Sequence, residues 1–208
     1  MKEIPNKSLA ALLVVAIVVS VVGTWLVVNQ KPGALKTTGA AVDTGTATMD
    51  IQTTTSIKFT DNAVAWGAVS VDTTGGYTNC TLDTDGGTGV GCSQFTPDPD
   101  GMTITNDGNT KLKVELSNNA TAAEFIGGTG STYEYKFVDP GAKCGNFTGS
   151  TNYGNVPTVD TIVCDAPGGL KYADGSDTMT FHLKIVIPYD AETGAKSATW
   201  TATGTEVA

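Results

Sequence analysis

Strict alternation of apolar and polar residues is the main pattern of this chain beyond its first thirty residues. Leu112, Val114 and Leu116 alternate with charged residues, and residues 179–187 alternate in the same way. A period of two is typical of strands with one buried face. The other candidate strands are residues 49–53, 56–60, 63–71, 101–106, 132–137, 159–164 and 198–202.

This pattern predicts an all-β domain over residues 49–208. Only residues 119–125 offer a short helical turn, and the segments 73–100 and 139–158 are predicted as long loops. About nine short strands separated by turn signals favour a two-sheet β-sandwich over a barrel.

A continuous apolar segment precedes this domain. Residues 9–28 carry no charge, and as a helix with a rise of about 1.5 Å per residue they are long enough to cross a bilayer. The basic residues do not decide its orientation, because Lys2 and Lys7 precede it while Lys31 and Lys36 follow it. The segment predicts one N-terminal transmembrane or signal-anchor helix.

Three interpretations of this helix stay open: an uncleaved anchor, a cleaved secretory peptide, and a pilin-like leader cut near Ser8. A lipoprotein is excluded, because the first cysteine is Cys80. The expected organisation is a cytoplasmic leader over residues 1–8 and a flexible tether over residues 29–48, rich in Gly, Thr and Ala.

Four cysteines follow the apolar segment: Cys80, Cys92, Cys144 and Cys164. An even set in an extracytoplasmic chain predicts two disulfides. Of three possible connectivities we favour Cys80–Cys92 with Cys144–Cys164, because each pair closes one long loop locally. A zinc site is excluded, because the chain has no Cys-x-x-Cys pair and only one histidine.

Three Asn-x-Thr sequons lie in or beside predicted loops, at Asn79, Asn119 and Asn146. They are either glycosylation sites of a surface protein or chance occurrences in a Thr-rich sequence. The net charge of −9 and the absence of arginine argue against nucleic acid as a partner.

The leader over residues 7–28, the strand after residues 105–109 and the closing segment 187–198 together resemble archaeal surface proteins that are anchored at the N-terminus. Archaellins, archaeal type IV pilins and TasA-like surface fibre proteins share this plan. The resemblance implies an immunoglobulin-like sandwich displayed outside the cell, with the helix anchoring it or bundling in a filament. The chain departs from the pilin pattern in having Ser8 at the cut position and no acidic residue within residues 9–28.

Candidate chemistry is sparse. His182 is expected on the outward, solvated face of its strand, and no Gly-x-Ser-x-Gly elbow accompanies it, so we expect no enzyme and no cofactor. Asp83 with Asp85, and Asp98 with Asp100, are weak candidates for Ca²⁺ ligands or simply turn-forming residues.

Aromatic residues in loops leave a carbohydrate-binding alternative open. Tyr77, Phe147, Tyr153 and Tyr172 could form a sugar-stacking platform or could cover the core, and Trp66 and Trp200 are expected to point inward. The sequence thus predicts a non-enzymatic structural or adhesive protein of the cell surface. Its partners would be the membrane, through residues 9–28, and copies of itself or other envelope proteins. The alternative is an extracytoplasmic glycan- or peptide-binding module.

Overall fold

The computed structural model describes residues 6–29, 49–138 and 140–207, which fall into two compact units divided after Asp50. The first unit contains helix α1, Asn6–Asn29, which includes the apolar segment predicted as a helix. Within the described residues, no helix combines the length and hydropathy that crossing a membrane requires. The leader up to residue 5 and the predicted tether from residue 30 lie outside the described part.

The second unit is an all-β domain whose described residues form twelve strands. They are β1 (Ile57–Asp61), β2 (Ser70–Val71), β3 (Asn79–Asp83), β4 (Thr88–Val90), β5 (Cys92–Gln94), β6 (Met102–Asn106), β7 (Leu112–Asn118), β8 (Thr132–Val138), β9 (Gly154–Asn155), β10 (Thr161–Cys164), β11 (Thr178–Pro188) and β12 (Trp200–Glu206).

A short α-helix, α2 (Ala122–Phe125), lies within the turn predicted at residues 119–125, and a 3₁₀ turn covers Pro140–Ala142. Thr121 and Glu124 close its first turn with a capping box, in which each side chain accepts a hydrogen bond from the other residue's backbone N–H.

Strand β11 is the centre of the largest sheet. It pairs with β6 and β3 along one edge and with β8 along the other. β1 extends the sheet beyond β6, β4 beyond β3, and β9 beyond β8. A second sheet has the order β10-β7-β12, and β2 and β5 form a third. All these pairings are antiparallel, so the sheets are built from hairpins and longer connections without helical crossovers.

The two larger sheets bury their facing sides in one core. β7 contributes Leu112, Val114 and Leu116, each fully buried, as its alternation predicts. From β12, Trp200 reaches Phe181 of β11, with 4.9 Å between the ring centroids. The indole also meets Tyr135 at 5.6 Å, so aromatic packing joins the sheets at their centre.

Two predicted strands are wrong. Residues 49–53 lie in no sheet, and residues 63–71 form a strand only at β2. Conversely, β3, β4 and β5 lie within the predicted loop 73–100, and β9 lies within the predicted loop 139–158. Alternation identifies a face that can be buried, but a strand forms only where another strand offers a free edge.

Both disulfides have the favoured connectivity, Cys80–Cys92 and Cys144–Cys164. The first joins β3 to β5, and the second joins β10 to the loop after β8. Each closes a short loop, with sequence separations of 12 and 20, for which the chain-entropy model gives a stabilisation of about 3 kcal/mol. Such bonds indicate an oxidising, extracytoplasmic environment.

The buried Tyr133 hydroxyl generates a stability prediction. Its oxygen accepts hydrogen bonds from Trp200 Nε1 at 2.8 Å and Asn118 Nδ2 at 3.4 Å, and burial raises the pKa of the phenol to about 12. Tyr133→Phe leaves both donors without this acceptor, so we expect a loss of about 1 to 3 kcal/mol in urea unfolding. The exposed Tyr172→Phe is the matched control. Equal stability of the two variants would contradict this role of the hydroxyl.

Candidate functional site

An apolar groove of about 1070 Å³ lies on the inner side of the largest sheet. Its floor is the second half of β11, from Leu183 through Ile185 to Ile187, with Tyr133 and Trp200 beside it. These positions lie on the core face because β11 alternates, so the sequence of that strand makes the floor apolar.

Two segments without regular strand pairing form the walls of the groove. They are residues 62–69, which precede β2, and residues 191–199, which precede β12. In the first, the Trp66 carbonyl accepts a hydrogen bond from Thr96 N at 2.7 Å. In the second, Thr199 N donates to Asn119 Oδ1 at 2.7 Å. Over the described residues no backbone hydrogen bond joins one wall to the other.

The floor of the groove has the chemistry of a protein core, and the walls contain both apolar and uncharged polar residues. Val64, Trp66, Val69 and Ala198 are partly buried wall residues that pack against the core. Among the residues that line the groove only Glu192 and Lys196 carry a charge. Such a lining can hold apolar side chains, and neither charged residue belongs to a cluster of groups suited to acid–base chemistry.

A polar cluster occupies the opposite, outer face of the same sheet. The ring of Tyr153 lies under the ammonium groups of Lys136 and Lys184, at 4.6 and 4.2 Å from the ring centroid. Its hydroxyl donates to Asp83 Oδ1, and Lys136 pairs with Asp85 at 2.5 Å. Burial, together with the neighbouring Asp83, raises the pKa of Tyr153, while the hydrogen bond from Lys136 lowers the pKa of Asp85. These contacts fasten the segment that carries Tyr153 to the sheet.

The four loop aromatics have separate surroundings. Tyr153 belongs to the polar cluster, and Phe147 packs on Phe137 with ring centroids 5.3 Å apart. Tyr77 and Tyr172 are half-exposed, at 46% and 49%. Two of the four rings are thus engaged in internal packing and do not offer a free stacking face with the others.

The four candidate calcium ligands also separate into two places. Asp83 and Asp85 are held by Tyr153 and Lys136, while Asp98 accepts a hydrogen bond from Ala65 N at 2.8 Å. Among the described residues no three His, Cys, Asp or Glu side chains form a group that could hold a metal ion.

His182 lies on the outer face, as predicted, but it is half-buried where the sequence analysis expects a solvated residue. Its Nδ1 is 3.0 Å from the fully buried Thr84 Oγ1, and the backbone of Gly101 lies close beside it. The Thr84 hydroxyl also accepts a hydrogen bond from Leu183 N at 2.9 Å. The histidine therefore helps to hold the end of β3 against β11.

The three sequons differ in accessibility. Asn79 and Asn119 are exposed, and Asn119 uses only its oxygen, toward Thr199 N. Asn146 is half-buried, and its Nδ2, the nitrogen to which a glycan would be linked, donates to the Ala166 carbonyl at 2.7 Å. In the folded domain Asn79 and Asn119 are thus better placed for modification than Asn146.

The groove was not predicted, because the sequence indicates a strand over residues 63–71 and neither a strand nor a helix over residues 191–197. The sequence signal for the first wall was indirect: residues 63–71 carry no charge and are mostly apolar or small. Comparison with family models, with curated proteins and with solved structures finds no match for this chain.

The carboxylates beside the first groove wall generate a pH prediction. Burial raises the pKa of Asp98, and its neighbours Asp100 and Asp61 raise it further against the opposing hydrogen bond from Ala65. When the pKa of a carboxyl group is higher in the folded than in the unfolded state, its protonated form stabilises the fold. This stabilisation is complete below the unfolded-state pKa and is lost as pH rises through the folded-state pKa.

Asp98→Asn should therefore reduce the loss of unfolding free energy between acidic and neutral pH, measured by urea unfolding at a series of pH values. The exposed Asp174→Asn is the control and should follow the wild-type curve. If Asp98→Asn followed that curve as well, the carboxylate would not be perturbed as described.

Proposed function

We propose that this protein is a non-enzymatic structural or adhesive protein of the cell surface, which associates by holding an extended apolar segment in the apolar groove. The groove is the observation that carries the proposal. It is large, its floor consists of core residues, and its walls are segments without regular strand pairing and with few backbone hydrogen bonds. An added strand can satisfy such backbone while its alternate side chains enter an apolar space.

The N-terminal unit supports a place at the membrane or in a helical bundle. The described large apolar side chains of α1, among them Leu13, Ile17, Val21 and Trp25, are each about half exposed or more. A helix that is apolar on all sides is stable only in apolar surroundings. We therefore propose that residues 9–28 anchor the chain in the membrane or bundle with the helices of other copies.

The proposed architecture is an immunoglobulin-like sandwich outside the cytoplasm. Its support is the packing of two antiparallel sheets and the two disulfides, together with the resemblance in layout to archaeal surface proteins. Neither disulfide joins a strand of one larger sheet to a strand of the other, so each stabilises a loop or a sheet edge locally.

A peptide-binding module is the second candidate, and the same groove favours it. The two functions differ in the source of the bound segment, which is a copy of this chain in the first and another protein in the second. For a glycan-binding module the four separated aromatics provide no comparable support.

Fractionation of cells that produce the full chain tests the location. We expect the protein in the envelope fraction, with all four cysteines unreactive toward maleimide until a reductant is added. Mass spectrometry of the N-terminus then separates an intact anchor from a mature end near Ser8 or one beyond residue 28. A cytosolic protein with four reactive thiols would contradict the proposal, and a cytosolic protein of known location serves as the labelling control.

A further inference from the structure

Two apolar side chains that precede β1, Met49 and Ile51, are exposed to solvent. Ala47, Met49 and Ile51 alternate with polar residues, a pattern that predicts a strand over residues 49–53. Yet residues 49–53 belong to no sheet, and the side chains of Met49 and Ile51 are 83% and 70% exposed. Apolar side chains at strand spacing are thus presented to solvent in the isolated chain.

The structure holds the end of this segment at one end of the largest sheet. Thr54 N donates to Asn109 Oδ1 at 2.6 Å, and the Gln52 carbonyl accepts from Asn109 Nδ2 at 3.0 Å. Asn109 belongs to the turn after β6, and the last residue of β6, Asn106, donates its N–H to the Asp177 carbonyl just before β11. The segment therefore joins the domain beside the start of β11.

The apolar groove lies toward the other end of β11. Its floor begins at Leu183 and continues to Pro188, whereas the attachment point is level with Thr178. At about 3.3 Å per residue, the floor occupies the region roughly 17 to 33 Å from that point. Five residues, fully extended, span only about 17 Å, so five residues attached at that point are too few to run along the floor.

We propose that residues 47–51 of one copy insert as an extended strand into the apolar groove of a second copy. Ala47, Met49 and Ile51 face the groove floor, and the intervening polar residues face outward. The inference rests on the function proposed above and names the bound segment. Because donor and acceptor lie at opposite ends of the sheet, the contact is head-to-tail, and its repetition gives an open chain of copies.

The two surfaces are complementary in chemistry. The donor offers three apolar side chains on one face, and the acceptor is a groove with a single acidic and a single basic residue in its lining. Since each copy keeps one free donor and one free groove, association does not saturate at a dimer.

The test compares variants of the full chain in one mild detergent, with mass determined by light scattering. The double variant Met49→Asp/Ile51→Asp alters only side chains that are exposed in the isolated chain, so its fold should survive. We expect it to weaken association by about a hundredfold or more, since two apolar side chains no longer enter the groove. Val159→Asp, at an equally exposed site outside the groove, is the matched control and should assemble like the wild type.

A complementary variant tests the acceptor. Ala198→Phe fills the groove, while Ala173→Phe, exposed and outside the groove, is its control. Neither Ala198→Phe nor the double aspartate variant should form long assemblies alone. Mixed together they should form one-to-one dimers, because one supplies the donor and the other the groove. Dimer formation also demonstrates that both variants are folded.

A synthetic peptide of residues 45–54 provides a second readout. It should bind the double aspartate variant and change the fluorescence of the groove residues Trp66 and Trp200, with no change in the same variant carrying Ala198→Phe. If Ala198→Phe abolishes assembly but the double aspartate variant assembles like the wild type, another segment fills the groove and this inference fails while the proposed function stands. If the wild type remains monomeric at high concentration and binds no peptide, both fail.

Discussion

The requirement that β11 be paired along both edges determines most of the domain. The backbone of this strand pairs with β3 and β6 on one side and with β8 on the other. Four alternate side chains of β11 are buried on the inner face of the sheet. A buried strand must satisfy every backbone N–H and carbonyl, so three distant segments of the chain have to meet on it. The second sheet then closes the core through Trp200. Beyond Leu183, the inner face of β11 is covered by residues 62–69 and 191–199, which pair with no strand. The groove lies between these two segments and β11.

Sequence reasoning succeeds where burial alone decides the structure. β7 and β8 alternate strictly, β11 alternates up to Ile185, and each lies within or overlaps a predicted segment. The disulfides were also accessible to sequence reasoning, because each joins cysteines close in sequence. β3 was missed because its main partner, β11, lies about a hundred residues later, and no local pattern reports such a pairing.

The same limit explains the two predicted strands that do not form. Residues 49–53 and 63–69 alternate as strands do, and their side chains are suited to a pleated surface, but over the described residues no strand pairs with them. Strand propensity reports how well a side chain fits a sheet surface. Whether a segment becomes a strand depends on the tertiary structure, which must provide a partner strand. Tyr153 is a comparable case on the outer face, since its partners Asp83, Lys136 and Lys184 come from three different strands.

Charge limits the ways in which copies of this domain can meet. The whole chain has a net charge of −9, so broad side-by-side contact brings many carboxylates together, and at physiological ionic strength their repulsion acts over a screening length of about 8 Å. The end-to-end contact proposed above is narrow and apolar, so it brings fewer charged residues within this length. In the proposed assembly the acidic surface therefore favours an extended arrangement of copies over a compact one, without any specific contact between the charged faces.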